Sequence, residues 1–300
     1  MKQRAAVAIL AATLAFALPA LAQQPKLKVY ISVDMEGVVG AVTGDQLGPG
    51  GFEYQRFRDF MTREALAAVQ AAKEAGATEI VVSDSHGNGE NLLIEMFPAD
   101  VRIIRSWPRR LSMMAGIDST FDAAIFIGYH SSTDNTAGVR AHTFSSGRLT
   151  HVAVNGTPFT EGAWNAAIAG HFGVPVVMIS GDDAAVAEVS KVIGSIETAA
   201  VKNHLGFHSA NTLTPEASYK LIAEKVKAGL ARHAQMKPFA VSKPLTVEVS
   251  FKHYLPAEVI SYLKGVERNA SHTIRYRCAD MLEAADFMLV LNTYSTTLEP

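Results

Sequence analysis

The stretch that decides the fold is KVYISVDMEG, residues 28–37, where a short apolar run leads directly into Asp34 and Glu36. Residues 29–33 are β-rich and almost wholly apolar, which is typical of a strand buried on both faces of a parallel sheet. Side chains at i and i+2 of an extended chain point to the same side. Two carboxylates placed in this way repel each other unless a cation lies between them. The segment therefore predicts a buried strand that ends at a cation site.

Two later segments repeat this pattern. EIVVSDSHG, residues 79–87, leads into Asp84 and His86, and AAIFIGYHS, residues 123–131, leads into His130. Ligands of open α/β sheets bind outside the carboxyl ends of the strands, so these side chains are expected to converge. A set of Asp, Glu and His without Cys suits zinc, manganese or cobalt.

Asp84 has two possible roles. It lies two residues before His86 and could project to the same side, where it would hold a ligand in its orientation. It could equally cap a turn at the end of the strand.

The order of elements predicts an α/β fold with a mainly parallel sheet flanked by helices. Strand-like and helical segments alternate through residues 23–240, which we assign to a catalytic, metal-binding domain. A junction rich in Lys and Pro follows, and residues 241–300 are expected to form a smaller C-terminal α+β domain. Within that domain FMLVLNTYS, residues 287–295, is predicted to be a strand.

Residues 1–22 have the pattern of a signal peptide. Lys2 and Arg4 precede an apolar run at residues 5–18, and Ala-Leu-Ala at residues 20–22 is a cleavage signal. The mature chain is expected to begin at Gln23 and to be periplasmic or secreted. The apolar run is too short for a typical membrane span, so no stable membrane insertion is expected after cleavage.

Composition excludes some partners and covalent links. The formal net charge is −2, and Lys and Arg are scattered along the chain, so nucleic acid is not indicated. Cys278 is the only cysteine, which excludes an intramolecular disulfide.

Two more residues have ordinary explanations when each is taken alone. Glu161 stands in FTEGAWNAAIAG at the start of a helix, where a carboxylate favours the helix dipole. His142 stands in RAHTF, in a loop-like segment. Spacing alone does not bring either residue to the strand ends.

The ordered motifs SVDMEG, SDSH, GYH, AHTF, TEGAWNA and GDD resemble those of the zinc-dependent D-aminopeptidase family, the DppA-like metallopeptidases. The resemblance covers roughly residues 29–202. It implies two zinc ions per chain, with Asp34 as the aspartate ligand that both metals share and His142 as a catalytic histidine off the metal. The other ligands that it implies are Glu36, His86, His130 and Glu161.

The resemblance also implies an activity and an assembly. Members of the family remove N-terminal D-residues, notably D-alanine, from short peptides, and they form ring-like homo-oligomers with a decamer as the characterised form. We therefore expect an exported dinuclear zinc aminopeptidase that uses a metal-activated water.

Two other classes of protein remain open from the residues themselves. A metal-dependent hydrolase of another bond, such as a phosphoester, should show a phosphate-binding motif, and no Gly-rich phosphate motif is evident. An exported solute-binding protein would not need five metal-ligand residues near strand ends.

Overall fold

The computed structural model describes residues 26–293, so the predicted signal peptide lies outside the described residues. The strands are β1 (Leu27–Val33), β2 (Ala77–Asp84), β3 (Val101–Ile104), β4 (Ala123–Tyr129), β5 (Leu149–Val154), β6 (Thr157–Pro158), β7 (Val176–Asp182), β8 (Glu197–Gly206), β9 (Ser209–Thr212), β10 (Leu245–Phe251), β11 (Val266–Ala270) and β12 (Thr273–Cys278). The helices are α1 (Tyr54–Glu74), α2 (Glu161–His171), α3 (Asp183–Ile193), α4 (Pro215–Ala231), α5 (Tyr254–Ile260) and α6 (Met281–Thr293). Among the described residues, no helix is both long and apolar enough to cross a membrane.

A seven-stranded sheet in the order β3-β2-β1-β4-β7-β8-β9 forms the centre of the fold. Its strands are parallel except for β9, which runs antiparallel to β8. The predicted α/β class with a mainly parallel sheet is therefore confirmed. The chain builds outward from β1 through β2 to β3, and then continues on the other side of β1 from β4. Such a reversal of strand order opens a crevice at the carboxyl ends of β1 and β4.

Strand β1 is apolar nearly throughout because both of its faces are buried. Val29, Ile31 and Val33 point into a core shared with α1 and α4, while Tyr30 points into a second core that includes α2 and α6. Alternate residues of a strand face opposite sides, so each core takes every second side chain. The continuous apolar pattern in the sequence reflects these two cores.

A five-stranded sheet in the order β11-β12-β10-β5-β6 forms a further layer. Its strands are antiparallel, and β5 pairs with β10 so that Val152 lies opposite Val249. Strands β5 and β6 come from the segment that we assigned to the catalytic domain. The C-terminal segment therefore shares its sheet with residues 149–158 instead of forming it alone.

The predicted strand at residues 287–295 is wrong, because helix α6 occupies this segment as far as Thr293. An apolar run of this length cannot be assigned to strand or buried helix by periodicity alone. The missed signal lies just upstream, where Asp280 Oδ1 accepts hydrogen bonds from the backbone N–H groups of Leu282 (2.9 Å) and Glu283 (3.1 Å). An Asp at this place is a typical helix start.

Candidate metal centre

The carboxyl ends of β1, β2 and β4 meet the first turn of α2 at one buried site. Backbone hydrogen bonds continue the sheet ladder past the strand ends, from Asp34 N to Ile127 O (2.8 Å) and from Ser85 N to Val33 O (2.8 Å). The structure brings together every residue that the resemblance implied as a ligand, and all of them are buried: Asp34, Glu36, His86, His130 and Glu161.

Two groups of potential metal-ligand side chains lie here, one formed by Asp34, Glu36 and His86 and the other by His130, His142 and Glu161. In the first group, His86 Nδ1 lies 3.2 Å from Asp34 Oδ1 and 2.8 Å from Glu36 Oε2. In the second, His130 Nε2 lies 3.4 Å from Asp34 Oδ2 and 3.3 Å from Glu161 Oε1. Asp34 Oδ2 is buried and accepts no hydrogen bond from any of the described residues. Since buried polar atoms are normally satisfied, this oxygen is placed as a cation ligand would be.

Backbone carbonyl groups determine the tautomer of two histidines. His86 Nε2 lies 2.7 Å from Leu47 O, and His130 Nδ1 lies 3.0 Å from Ser131 O. A carbonyl oxygen can only accept, so each of these ring nitrogens is the one that holds the hydrogen. In a neutral ring the other nitrogen then presents its lone pair to the carboxylates. Metal-binding histidines are oriented in this way.

His142 is the third member of the second group. Its Nδ1 donates to Arg140 O (2.8 Å), and its Nε2 lies 3.8 Å from Glu161 Oε1. The ring stacks on His130 with 4.0 Å between centroids and 10° between planes. Burial, and then the charge of His130, hold the pKa of His142 below its usual value. The ring is therefore neutral near pH 7, and Nε2 can accept a proton.

The buried carboxylates of the site are costly to keep ionised when only protein side chains balance their charge. Burial, followed by the charge of Glu36, raises the pKa of Asp34 to about 7. Burial lowers the pKa of His130, but Glu161 and Asp34 outweigh it and raise the value to about 10. Protonated histidines thus balance the carboxylates. Divalent cations would replace those protons, because metal ligands must be deprotonated.

Glu161 reaches the site because α2 begins at its rim. Thr160 is the N-cap, and its Oγ1 accepts a hydrogen bond from Ala163 N (2.8 Å). Glu161 follows in the first turn, and its Oε1 accepts from Phe144 N (2.7 Å). The same first-turn position that explains Glu161 as an ordinary helix start also aims it at His130.

The Asp84 carboxylate faces away from the two groups. It accepts hydrogen bonds from Asn91 N (2.6 Å), Asn91 Nδ2 (2.8 Å) and Leu92 N (2.7 Å). Asn91 Nδ2 also donates to His86 O (2.7 Å). Asp84 therefore holds the loop after His86 and does not contact the imidazole.

Lys202 is a part of the site that the sequence did not reveal. It is buried in the middle of β8, and its ammonium group donates to the carbonyl oxygens of Glu36 (2.5 Å), Val38 (2.9 Å) and Ala41 (2.6 Å). Burial lowers its pKa to about 8. These bonds hold the loop that begins at Glu36, and they link residues as much as 166 positions apart, which no local spacing indicates.

A cavity of about 420 Å³ opens onto the centre. Its apolar wall is formed by Trp107, Met113, Phe144 and Leu289. The Arg109 guanidinium stacks on Trp107 at 3.9 Å, so the indole is held in place. Leu289 comes from α6, where the sequence predicts a strand, so its place in this wall was not predicted.

Comparison with known proteins agrees with this geometry. The family model of peptidase family M55, described as D-aminopeptidase, matches residues 27–290. The chain belongs to the M55 family of D-aminopeptidases. It is similar to the D-aminopeptidase of Bacillus subtilis (strain 168), with 34% identity over 266 residues, 88% of this chain and 96% of that protein.

A solved structure extends the likeness of this M55 peptidase to three dimensions. It is described as the Zn-dependent D-aminopeptidase DppA from Bacillus subtilis, a self-compartmentalizing protease. The TM-score is 0.85 at 34% identity, covering 91% of this chain and 97% of that chain. The resemblance inferred from the motifs is confirmed, and so is the class of enzyme, a peptidase. Membership favours this class over a phosphoester hydrolase or a solute-binding protein.

Proposed function

We propose that this M55 peptidase is exported, holds two zinc ions per chain and releases N-terminal D-residues such as D-alanine from short peptides. The observation that supports this most directly is the Asp34 carboxylate, whose two oxygens face two different ligand groups. A carboxylate in that position can be shared by two metal ions, as in dinuclear hydrolases.

One ion would be held by Asp34, Glu36 and His86, and the other by Asp34, His130 and Glu161. These oxygen and nitrogen donors, with no thiolate, fit zinc. The similar Bacillus subtilis enzyme is described as Zn-dependent, which supports the same choice here.

Zinc bound at this site would polarise the scissile carbonyl group and lower the pKa of a water molecule. His142 then acts as the proton carrier. Its Nδ1–H is fixed on Arg140 O, so the Nε2 lone pair is available to take a proton from the water and to return it to the leaving amine. Stabilisation of the carbonyl oxygen is the other role open to this ring.

The size of the cavity supports short peptides as substrates. About 420 Å³ beside the centre accommodates a few residues rather than a folded chain. The preference for D-residues rests on the family and on the similar D-aminopeptidase, since selection between enantiomers depends on the shape of the pocket.

The test combines metal content with product release. The purified protein should contain two zinc ions after reconstitution and should release D-alanine from D-Ala-D-Ala much faster than L-alanine from L-Ala-L-Ala. Chelation should stop the release and added zinc should restore it. Glu36→Gln should lose metal and activity, whereas the matched variant Asp84→Asn should keep its zinc. One zinc ion or fewer per chain would contradict the dinuclear centre, and preference for the L-dipeptide would contradict the substrate.

Export is supported by the leader at residues 1–22. N-terminal sequencing of the exported protein should begin at Gln23. Whole cells should release D-alanine from an added D-Ala peptide that cannot cross the inner membrane, and a chain started at Gln23 should lose that release while lysate activity stays. Equal release from both strains would show that the leader does not determine where the peptide is cleaved.

We also propose that the protein forms a homo-oligomeric ring, with ten subunits as the form that the family suggests. The support is that the similar Bacillus subtilis enzyme is described as self-compartmentalizing. Light scattering of the purified protein should give a mass many times that of one chain. A monomer at assay concentration would contradict the proposal.

A further inference from the structure

A chain of buried hydrogen bonds runs beneath the candidate metal centre. Asn165 Nδ2 donates to Tyr129 Oη (2.8 Å), Tyr129 Oη donates to Ser32 Oγ (2.7 Å), and Ser32 Oγ lies 2.7 Å from Ser85 Oγ. All four side chains are buried. They form a continuous polar path, and Ser83 Oγ extends it at 3.1 Å from Ser85 Oγ.

Each member of this chain is close in sequence to a residue of the centre. Ser32 lies two residues before Asp34 on β1, Ser85 directly before His86, Tyr129 directly before His130, and Asn165 one helical turn after Glu161. The path therefore joins all four elements from which the ligand groups project.

Stability does not account for this network. Within residues 26–293, Asn165 Oδ1 is buried with no hydrogen-bond partner, and a partly satisfied polar network is less favourable than an apolar core. What the path provides is a fixed alignment of α2 and β4 against β1 and β2.

We propose that Tyr129 is a positioning residue whose hydroxyl sets the alignment of the Glu36 and His86 group with the His130 and Glu161 group. Asp34 must serve both groups at once, so a small displacement between them weakens one of the two metal sites. The inference rests on the proposed dinuclear function, and it assigns Tyr129 no contact with substrate or metal.

The test compares two variants that each remove one tyrosine hydroxyl. Tyr129→Phe cuts the path, while Tyr276→Phe is the control. Tyr276 lies half-buried on β12 of the second sheet, and its hydroxyl donates to Glu283 Oε1 (2.6 Å), which is no member of the path. Zinc affinity is measured by competition with a chromophoric chelator, at a temperature where circular dichroism shows both variants folded.

Tyr129→Phe should bind one of the two zinc ions about tenfold more weakly, the lower end of the effect seen when supporting bonds around metal ligands are removed. Its kcat should fall more than its KM rises. Tyr276→Phe should bind both ions within about twofold of the unchanged protein. Ser85→Ala, which cuts the path at its other end, should reproduce the Tyr129→Phe result and replaces it if that variant does not fold.

Two results would overturn the inference. Zinc affinities of Tyr129→Phe equal to those of the unchanged protein would show that the path does not align the centre. Equal weakening in Tyr276→Phe would show that loss of a tyrosine hydroxyl outside the path suffices. Failure of the unchanged protein to bind two ions would refute the proposed dinuclear function itself. The metal content of the unchanged protein therefore distinguishes this failure from failure of the inference about Tyr129.

Discussion

Asp34→Asn should make the zinc-free protein more stable while it abolishes activity. The substitution keeps the side-chain oxygen that accepts from Met35 N at 2.8 Å and removes the buried negative charge. It also places an amide N–H₂ where a shared metal ligand is proposed. The same change therefore relieves a cost of folding and removes the acceptor that two zinc ions would share.

The magnitude follows from the pKa of Asp34. Burial, with the added repulsion of Glu36, raises it from 3.8 to about 7. At about 1.4 kcal/mol for each pKa unit, holding this carboxylate ionised costs on the order of 4 kcal/mol at pH 8. Because the folded pKa is the higher one, the cost is absent below pH 4, grows between pH 4 and 7, and is constant above. At pH 5 it is about 1.5 kcal/mol.

The assay is urea unfolding with chelator present, at one protein concentration and at pH 8 and pH 5. Asp34→Asn should raise the free energy of unfolding by roughly 2–4 kcal/mol at pH 8 and by less at pH 5. With zinc added the order should reverse, because zinc stabilises only a protein that binds it. Asp84→Asn is the control, since its carboxylate accepts three N–H bonds, and it should be destabilised by about 1–3 kcal/mol with or without zinc.

A zinc-free Asp34→Asn protein that is less stable than the unchanged one at pH 8 would refute this argument. It would mean that the hydrogen bond from His86 to Asp34 outweighs the cost of burying the charge.

The other predictions concern three further side chains. His142→Ala should keep both zinc ions and lower kcat about a hundredfold, measured by elemental analysis and D-Ala-D-Ala turnover; loss of zinc would make His142 a ligand. Glu161→Gln should lower the zinc content from two towards one, and a content of two would remove Glu161 from the proposed ligand set. Glu64→Gln should raise the free energy of unfolding by up to about 3 kcal/mol at pH 8 and by less than about 1 kcal/mol at pH 5, because burial raises the pKa of Glu64 to about 7. Equal effects in urea unfolding at both pH values would show that the Glu64 charge is not the cause.

The sequence predicted the features that depend on residues close together in the chain. The ends of β1, β2 and β4 were visible because each buried strand leads directly into Asp34, His86 or His130. Parallel strands then bring their carboxyl ends together, so the convergence followed from the fold class. Glu161 and His142 have no such signal, and only the resemblance to a known family placed them.

The parts that were missed depend on contacts between distant segments. Pairing of β5 with β10 joins segments that no spacing relates, so the shared second sheet was not predicted. Lys202 and the Tyr129 hydroxyl act only through partners that the fold brings to them. The error at α6 has a different cause. The helix-start signal at Asp280 is present in the sequence, but the apolar run that follows also fits a strand.

The position of β5 has a consequence for the order in which the protein matures. The chain leaves the centre at His142, forms β5 and β6, and returns to the centre at Glu161. Strand β5 lies between His142 and Glu161 and pairs with β10. The segment between these two residues is therefore held by a strand that is translated later than either of them. Chains emerge from the ribosome with the N-terminus first. The residues of the centre are therefore all translated before β10, the strand that pairs with the segment between His142 and Glu161.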